Sequence, residues 1–302
     1  MLVLKDNMSQ GSKFNKIEKY IQDCAKAVDL ELANILNFPS DFGAGTLDEA
    51  MRYATLLGGK RLRPFLLIAT CDILGVARET SIKFGCVVEL IHAYSLVHDD
   101  LPAMDNDDVR RGKPSCHKKF SESTAILTGD ALLAKAFEIA SDPMHGLAPS
   151  VQVNIIHKLS KAAGRDGLVG GQFMDMDLKA DKLDYPTVVR MNAMKTGAMF
   201  AICCDIAVLL AQSLSMKVVH HIHMYSKSIG SAFQILDDIL DFEQDSNNGK
   251  AASNIVSIVG LDQAKEELKM LTNQAVEMMQ IFEEKKASVL VEFAKYINGK
   301  AE

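Results

Sequence analysis

Apolar residues recur at three- and four-residue spacing through most of the chain, the period of a helix rather than a strand. Ile17, Tyr20, Ile21 and Cys24 form one such stripe. Leu62, Phe65, Leu66 and Ala69 form a second, and Ile82, Cys86, Leu90 and Tyr94 a third. The same pattern predicts helices over 122–141, 151–163, 187–212, 215–244 and 260–297. Clusters of β-branched residues are few, so strands are not expected. All seven prolines fall at or before Pro186, which leaves the C-terminal part free to run in long helices. Loops are expected at Asp41-Phe42-Gly43-Ala44-Gly45, Asp142-Pro143, His145-Gly146 and Asn247-Asn248-Gly249. Residues 1–12 read as a flexible tail, and no repeat or Gly/Ser/Pro-rich linker divides the rest. Residues 13–302 are therefore expected to form a single all-α domain of about ten or more helices.

Composition supports this and narrows the class. Hydrophobic residues make up 48% of 302, enough for a sizeable core. Trp is absent and Met is frequent, a mixture suited to helix packing. The net charge of −6 argues against a general nucleic-acid binder. Six cysteines occur without any C-x-x-C pair, mostly in apolar segments, and are expected to be buried free thiols. The first residues have no apolar segment of the signal-peptide kind, and the most apolar stretch, 198–211, is interrupted by Asp205 and short for a bilayer span. A cytoplasmic protein without membrane insertion is expected.

Two aspartate clusters change the picture. One is His98-Asp99-Asp100-Leu101-Pro102-Ala103-Met104-Asp105, the other Gln234-Ile235-Leu236-Asp237-Asp238-Ile239-Leu240-Asp241, and each follows an apolar helical run. Carboxylates in such surroundings need positive charge. With oxygen the only donor, the expected ion is hard, and Mg²⁺ fits, completing its shell with water and phosphate. On a helix Asp237 and Asp241 share a face, joined by Gln234, while Asp238 lies about 100° away. His92 and Asp99, two turns apart, also share a face. Pro102 disfavours a helical Leu101, so that helix should end near Asp100 and Asp105 return from a loop, with Asp107 and Asp108 as competitors.

Cationic groups occur where anions would need them. Gly58-Gly59-Lys60-Arg61-Leu62-Arg63-Pro64 presents Lys60 and Arg63 after a glycine turn, and Arg110-Arg111-Gly112-Lys113 follows the first aspartate cluster. Guanidinium forks match phosphate oxygens. A Walker phosphate loop is absent. Lys195-Thr196-Gly197 interrupts an apolar helix and suggests an inward polar site at a kink. Gln172 and Asp175 share a helix face. His220, His221 and His223 lack ligand spacing and read as surface or satisfied residues.

Taken together, Gly-Gly-Lys-Arg-Leu-Arg-Pro, His-Asp-Asp-Leu-Pro-Ala-Met-Asp with Arg-Arg-Gly-Lys-Pro, Lys-Thr-Gly, and Phe-Gln-x-x-Asp-Asp-Ile-Leu-Asp resemble the trans-prenyl diphosphate synthases. The likeness is nearest to the bacterial short-chain type that makes farnesyl diphosphate, and it runs from about Tyr53 to Asp241. It implies an isoprenoid synthase fold, with helices around a central cavity, and a homodimer. It implies condensation of isopentenyl diphosphate with dimethylallyl or geranyl diphosphate, with three Mg²⁺ per site and Mn²⁺ as a substitute. By that likeness Asp99, Asp105 and Asp237 ligate metal, supported by Asp100 and Asp241. Arg110, Lys195 and Lys250 contact the allylic diphosphate. Lys60, Arg63, His92 and Arg111 hold isopentenyl diphosphate, and Thr196 and Gln234 face the allylic cation. Lys195, Thr196 and Gln234 are thus the catalytic group. An aromatic residue five positions before the first metal-binding Asp closes the tunnel floor in related enzymes, so Tyr94 favours a C15 product over geranyl or geranylgeranyl diphosphate.

One departure stands out. After Asp241 the family has a longer loop with two lysines, whereas here Lys250 stands for the first and Ala252 occupies the place of the second. That loop is the feature that would suit a non-catalytic regulatory subunit, against which the intact aspartate clusters argue. A terpene cyclase of similar fold is disfavoured by the Lys60/Arg63 site for a second diphosphate.

Overall fold

The computed structural model describes residues 14–39, 44–177, 184–245 and 255–301. The predicted tail at 1–12, Lys250 and Ala252 lie outside them. The described residues are almost wholly helical and divide into two compact units. The N-terminal unit comprises Lys19–Ile68 and Ala77–Ile156. The C-terminal unit comprises Ala69–Val76 and His157 onward, with the residues up to Glu18.

Helices α1 (Asn15–Ile35), α2 (Gly45–Leu56), α3 (Leu62–Leu74) and α4 (Arg78–Asp99) come first. A two-stranded hairpin follows, β1 (Val109–Arg110) with β2 (Lys113–Pro114), then α5 (Cys116–Lys119) and α6 (Glu122–Ala140). The centre of the N-terminal unit is α4, buried on every side from Phe84 to Val97. A helix buried all round has no single apolar stripe, so its polar residues must find partners inside. Ser95 donates to the His92 carbonyl at 2.9 Å; Glu89 and His92 are described below. Helix α6 approaches α4 closely at Gly129, where a Cβ would fall 2.0 Å from His98 Nε2. The Ser121 side chain caps α6 by accepting from the Thr124 amide at 3.1 Å.

The hairpin corrects the strand-free expectation. Its strands pair antiparallel, Arg110 opposite Lys113. The connecting Arg111 and Gly112 have φ of 54° and 75°, the both-positive pattern of a type I′ turn. The signal was Arg-Gly rather than the commoner Asn-Gly.

The later helices are α7 (Pro149–Ala163), α8 (Leu168–Asp177), α9 (Tyr185–Asn192), α10 (Ala198–Ala211), α11 (Met216–Asp245), α12 (Ile255–Val259), α13 (Leu261–Met278) and α14 (Glu284–Gly299). A π-helical turn, Ala193–Gly197, joins α9 to α10. The run Tyr185–Ala211 is thereby continuous over 27 residues, long and apolar enough to cross a bilayer by length and composition, as is α4. The stretch read as too short is longer because the π turn carries the helix through. The most apolar window of α4 is 83% buried inside the fold and that of Tyr185–Ala211 is 50% buried, so packing uses much of this apolar surface.

The predicted helix 260–297 is two helices. A short 3₁₀ turn at Met279–Ile281 and an extended Phe282 separate α13 from α14. No Gly or Pro marks the break. Both helices pack on α11 and on each other, which a straight rod could not do. The fully buried Tyr225 of α11 ties α14 down, donating to the Leu290 carbonyl at 2.9 Å. All six cysteines are free and buried.

Candidate active site

In the N-terminal unit, α4 stops at Asp99, and the Asp100 amide makes a last bond to the Leu96 carbonyl at 3.1 Å. The chain then curls back on itself. The Asp105 amide donates to the Asp99 carbonyl at 2.9 Å, and the Asn106 amide to the Leu101 carbonyl at 3.1 Å. Asn106 takes a φ of 53° to make this turn, a conformation Asn tolerates. Asp105 is thus returned beside Asp99 on an exposed loop. Asp100 is buried and faces Arg110, whose Nε donates to its two oxygens at 3.0 and 3.2 Å while a terminal nitrogen also donates. Burial pushes the Asp100 carboxyl above its ordinary value, and the Arg110 guanidinium opposes that shift. Asp107 pairs with Arg110 at 3.1 Å and Asp108 with Lys118 at 2.9 Å. Those two carboxylates are engaged by cations, which sets them apart from Asp105 in a way that spacing did not.

The hairpin sends its two arginines to different places. Arg110 reaches Asp100 and Asp107, whereas Arg111 donates to the Gly58 carbonyl. Gly59 lies under the Arg111 guanidinium, 2.7 Å from where a Cβ would be, and its φ is 128°. The φ favours glycine there, since a side chain rarely adopts it. Tyr53 anchors the hairpin by donating to the Pro114 carbonyl at 2.7 Å.

Beside this turn, Arg63 and His92 face each other, with 3.4 Å between a terminal guanidinium nitrogen and Nε2. Burial lowers the His92 pKa well below the ordinary value, and Arg63, Arg111, Arg61 and Arg110 lower it further. A neutral ring opposite a guanidinium accepts at Nε2 and carries its proton on Nδ1. Cationic Arg63 and Arg111 near a neutral acceptor suit an anion with several oxygens. Tyr94 lies two residues further along α4, almost fully buried and edge-on to His98 with centroids 5.9 Å apart. Burial, with a smaller push from Asp99, raises its phenol to about 12.

Arg61, which spacing did not single out, is a buried cation of this unit with three hydrogen bonds. It is 3% exposed and donates to Asp29 Oδ1 at 2.8 Å, Glu89 Oε1 at 2.6 Å and the Thr55 carbonyl at 2.7 Å. Its φ is 50°, which costs a residue with a Cβ about 1–2 kcal/mol. A usable signal was Glu89, a lone acid inside Val87-Val88-Glu89-Leu90-Ile91, because a buried carboxylate there requires a cation.

In the C-terminal unit the polar groups collect around the π turn. Gly171 of α8 lets that turn approach so closely that a Cβ would stand 2.2 Å from the Lys195 amide nitrogen. On another side Gly230 of α11 meets Gly197, with 3.3 Å between its Cβ position and the Gly197 Cα. Such wide turns recur at functional sites. Lys195 Nζ donates to Asp175 Oδ2 at 2.5 Å, and Thr196 is buried. The buried Gln172 amide has no hydrogen-bond partner among the described residues.

One turn beyond Gly230, α11 carries Gln234, which donates through its amide nitrogen to Asp238 at 2.9 Å. Asp238 also accepts from the Ile255 amide at 3.0 Å. Burial raises this carboxyl to about 6 against the opposing pull of those donors. Because Asp238 takes the amide nitrogen, the Gln234 oxygen is the end left for another group. Asp237 is buried and Asp241 half-buried on the same helix.

In each unit taken by itself the donor set fits a hard divalent ion. Every candidate ligand is a carboxylate, and among the described residues no three His, Cys, Asp or Glu converge on one ion-sized point. Mg²⁺ accepts such a site, using one or two carboxylates and filling its shell with water and phosphate.

A family model described as polyprenyl synthetase matches residues 44–297. Farnesyl diphosphate synthase of Escherichia coli (strain K12) is 37% identical over 289 residues, covering 92% of this chain and 96% of that protein. A chloroplastic geranylgeranyl pyrophosphate synthase of Capsicum annuum is 38% identical over 261 residues, covering 83% and 70%. The crystal structure of an FPP/GFPP synthase from Zymomonas mobilis superposes with a TM-score of 0.85 at 40% identity, covering 93% of this chain and 98% of that one. The all-α architecture, the matched length and these identities agree: the chain belongs to the polyprenyl synthetase family and is a prenyl-transferring enzyme of the short-chain trans-prenyl diphosphate synthase type.

Proposed function

We propose that the chain condenses isopentenyl diphosphate with geranyl diphosphate, or twice in succession starting from dimethylallyl diphosphate, giving farnesyl diphosphate and one diphosphate per condensation. The observation that carries this reading is the neutral His92 with Arg63 and Arg111 about it, a setting whose chemistry differs from that of the aspartate loop and which, with Lys60, would receive a second anion. Two kinds of diphosphate grip suit two diphosphate substrates.

Asp99 and Asp105 in the N-terminal unit and Asp237 in the C-terminal unit would hold Mg²⁺, which when bound would supply positive charge to a departing diphosphate. Arg110, oriented by Asp100, and Lys195, oriented by Asp175, bind the allylic diphosphate, joined by Lys250. Lys60, Arg63, His92 and Arg111 hold isopentenyl diphosphate. When the allylic C–O bond breaks, both electrons leave with the diphosphate. Thr196 and the Gln234 oxygen stabilise the allylic cation, a preorganised dipole effect. The isopentenyl double bond then attacks, forming the new C–C bond, and the adjacent proton passes to the released diphosphate. Among the described residues no protein base is required for that last step.

Tyr94 supports the C15 product: its buried ring, edge-on to His98, would block a longer chain. A C20 product is the second reading, favoured by the 38% identity to the Capsicum annuum geranylgeranyl synthase. We further propose a cytoplasmic homodimer. Incubation with labelled isopentenyl diphosphate and each allylic starter, followed by chromatographic sizing of the dephosphorylated products, tests the reading. C15 alcohol is expected; C20 would replace the product assignment; no elongation would refute the function.

A further inference from the structure

We propose that Arg61 is a positioning residue for the isopentenyl diphosphate site: its guanidinium, bonded to Asp29, Glu89 and the Thr55 carbonyl, fixes the turn from which Lys60 and Arg63 extend. The inference rests on the substrate reading above.

The turn itself shows why such an anchor is needed. Gly58, Gly59 and Arg61 all have positive φ, at 94°, 128° and 50°. Two glycines in this sequence leave the backbone loose in the unfolded chain, and the third position carries a side chain where glycine or asparagine would be less strained. The chain keeps an arginine there, and its guanidinium makes three bonds to three helices: Asp29 on α1, Thr55 on α2 and Glu89 on α4. The Arg61 carbonyl meanwhile accepts from the Phe65 amide at 2.8 Å, starting α3. The turn is therefore held at its side chain and its backbone together.

The register on α4 completes the device. Glu89 and His92 are three residues apart and share a face. Glu89 takes Arg61, and His92 faces Arg63. One face of one buried helix thus places both arginines, and Lys60 is fixed at its backbone beside the first of them. Glu89 also offsets the local excess of cations, since Arg61, Arg63 and Arg111 crowd the same region. A guanidinium suits this position better than an ammonium because it can bond several acceptors at fixed angles.

A buried ion pair could also be only a staple, and the variants separate the two roles. Arg61→Met alone leaves Glu89 buried and unpaired and is expected to lower the melting temperature. The double variant Arg61→Met with Glu89→Leu removes both charges at similar volume and is expected to recover most of that loss. Steady-state kinetics on the recovered double variant decide the matter. The KM for isopentenyl diphosphate should rise at least about tenfold while the KM for geranyl diphosphate stays within about twofold. Adding Lys60→Met should then cost less than it does in the wild type, because the two act through one site. Unchanged KM values, or both rising together, would overturn the inference. Calorimetric titration of isopentenyl diphosphate into the same proteins gives the affinity ratio without turnover. If the wild type binds it yet forms no product, the proposed reaction fails while the Arg61 inference is still decided by that ratio.

Discussion

The two aspartate motifs look alike in sequence and are built in opposite ways. The first sits where a helix ends. Asp99 closes α4, and Asp105 returns on an exposed loop whose other carboxylates are matched by Arg110 and Lys118. The second lies within the unbroken helix α11, where Asp237 and Asp238 are buried and Asp238 is matched by the Gln234 amide and the Ile255 backbone. Charge compensates charge in the first, and amide dipoles serve in the second. On the proposed function the first would hold an exchangeable ion at a helix end, and the second a fixed polar group facing the allylic cation.

Removing one carboxylate from each motif tests that contrast most severely. Asp99→Ala and Asp237→Ala should each lower kcat/KM by at least about 10³. Excess Mg²⁺ should recover part of the loss in the Asp99 variant and little in the Asp237 variant, as read from initial rates against Mg²⁺ concentration. Equal recovery would mean that the two motifs hold metal alike.

A smaller effect follows from cutting the partners. Asp100→Asn weakens the hold on Arg110 and should raise the KM for the allylic substrate about tenfold, increasingly so at high salt. Asp238→Leu removes the acceptor that orients Gln234 and should lower kcat about ten- to a hundredfold with KM little changed, whereas Asp238→Asn should cost less. If Asp238→Leu changed KM alone, Gln234 would have no part in stabilising the cation.

The helices were legible because their periodicity is strong. The predicted 187–212 and 215–244 correspond to Tyr185–Ala211 and Met216–Asp245. The break at Met279–Ile281 was not legible, since it is imposed by two helices sharing α11 and not by a local breaker. Nor was the Arg111-Gly112 hairpin, whose turn contains a residue rarely found at positive φ. Among site residues, spacing placed Asp237 and Gln234 on one helix and put Asp105 on a loop. Spacing could not show that Asp107 and Asp108 are already paired, or that Arg61 is the buried anchor between Lys60 and Arg63. The Arg61 pairs depend on Asp29 and Glu89, distant in sequence, and the Asp107 and Asp108 pairs on how the chain folds back after α4.

The two units also differ in how their paired charges respond to pH. Arg61 with Glu89 does not titrate on its cationic side across the neutral range. In the C-terminal unit, Asp205 is held by Lys158 at 2.8 Å and His223 at 3.0 Å. Its hydrogen bond to Asp205 raises the His223 pKa, so that contribution is full below the unfolded value near 6.5 and fades as pH rises through the raised one. The Asp205 carboxyl is lowered by His223 and Lys158 against burial, so its contribution is lost as pH falls through that lowered value. His223→Gln should therefore cost most stability between about pH 4.5 and 6.5, on the order of a few degrees in Tm, and progressively less at higher pH. A difference independent of pH would remove the ion pair from the explanation.

The most direct measurement is incorporation of labelled isopentenyl diphosphate into an allylic acceptor by the wild-type protein, followed against Mg²⁺ concentration from chelator to saturation. Metal-assisted condensation predicts no extended product in chelator and a rate that rises and saturates with Mg²⁺. Equal incorporation in chelator, or none at any Mg²⁺ concentration, would contradict it.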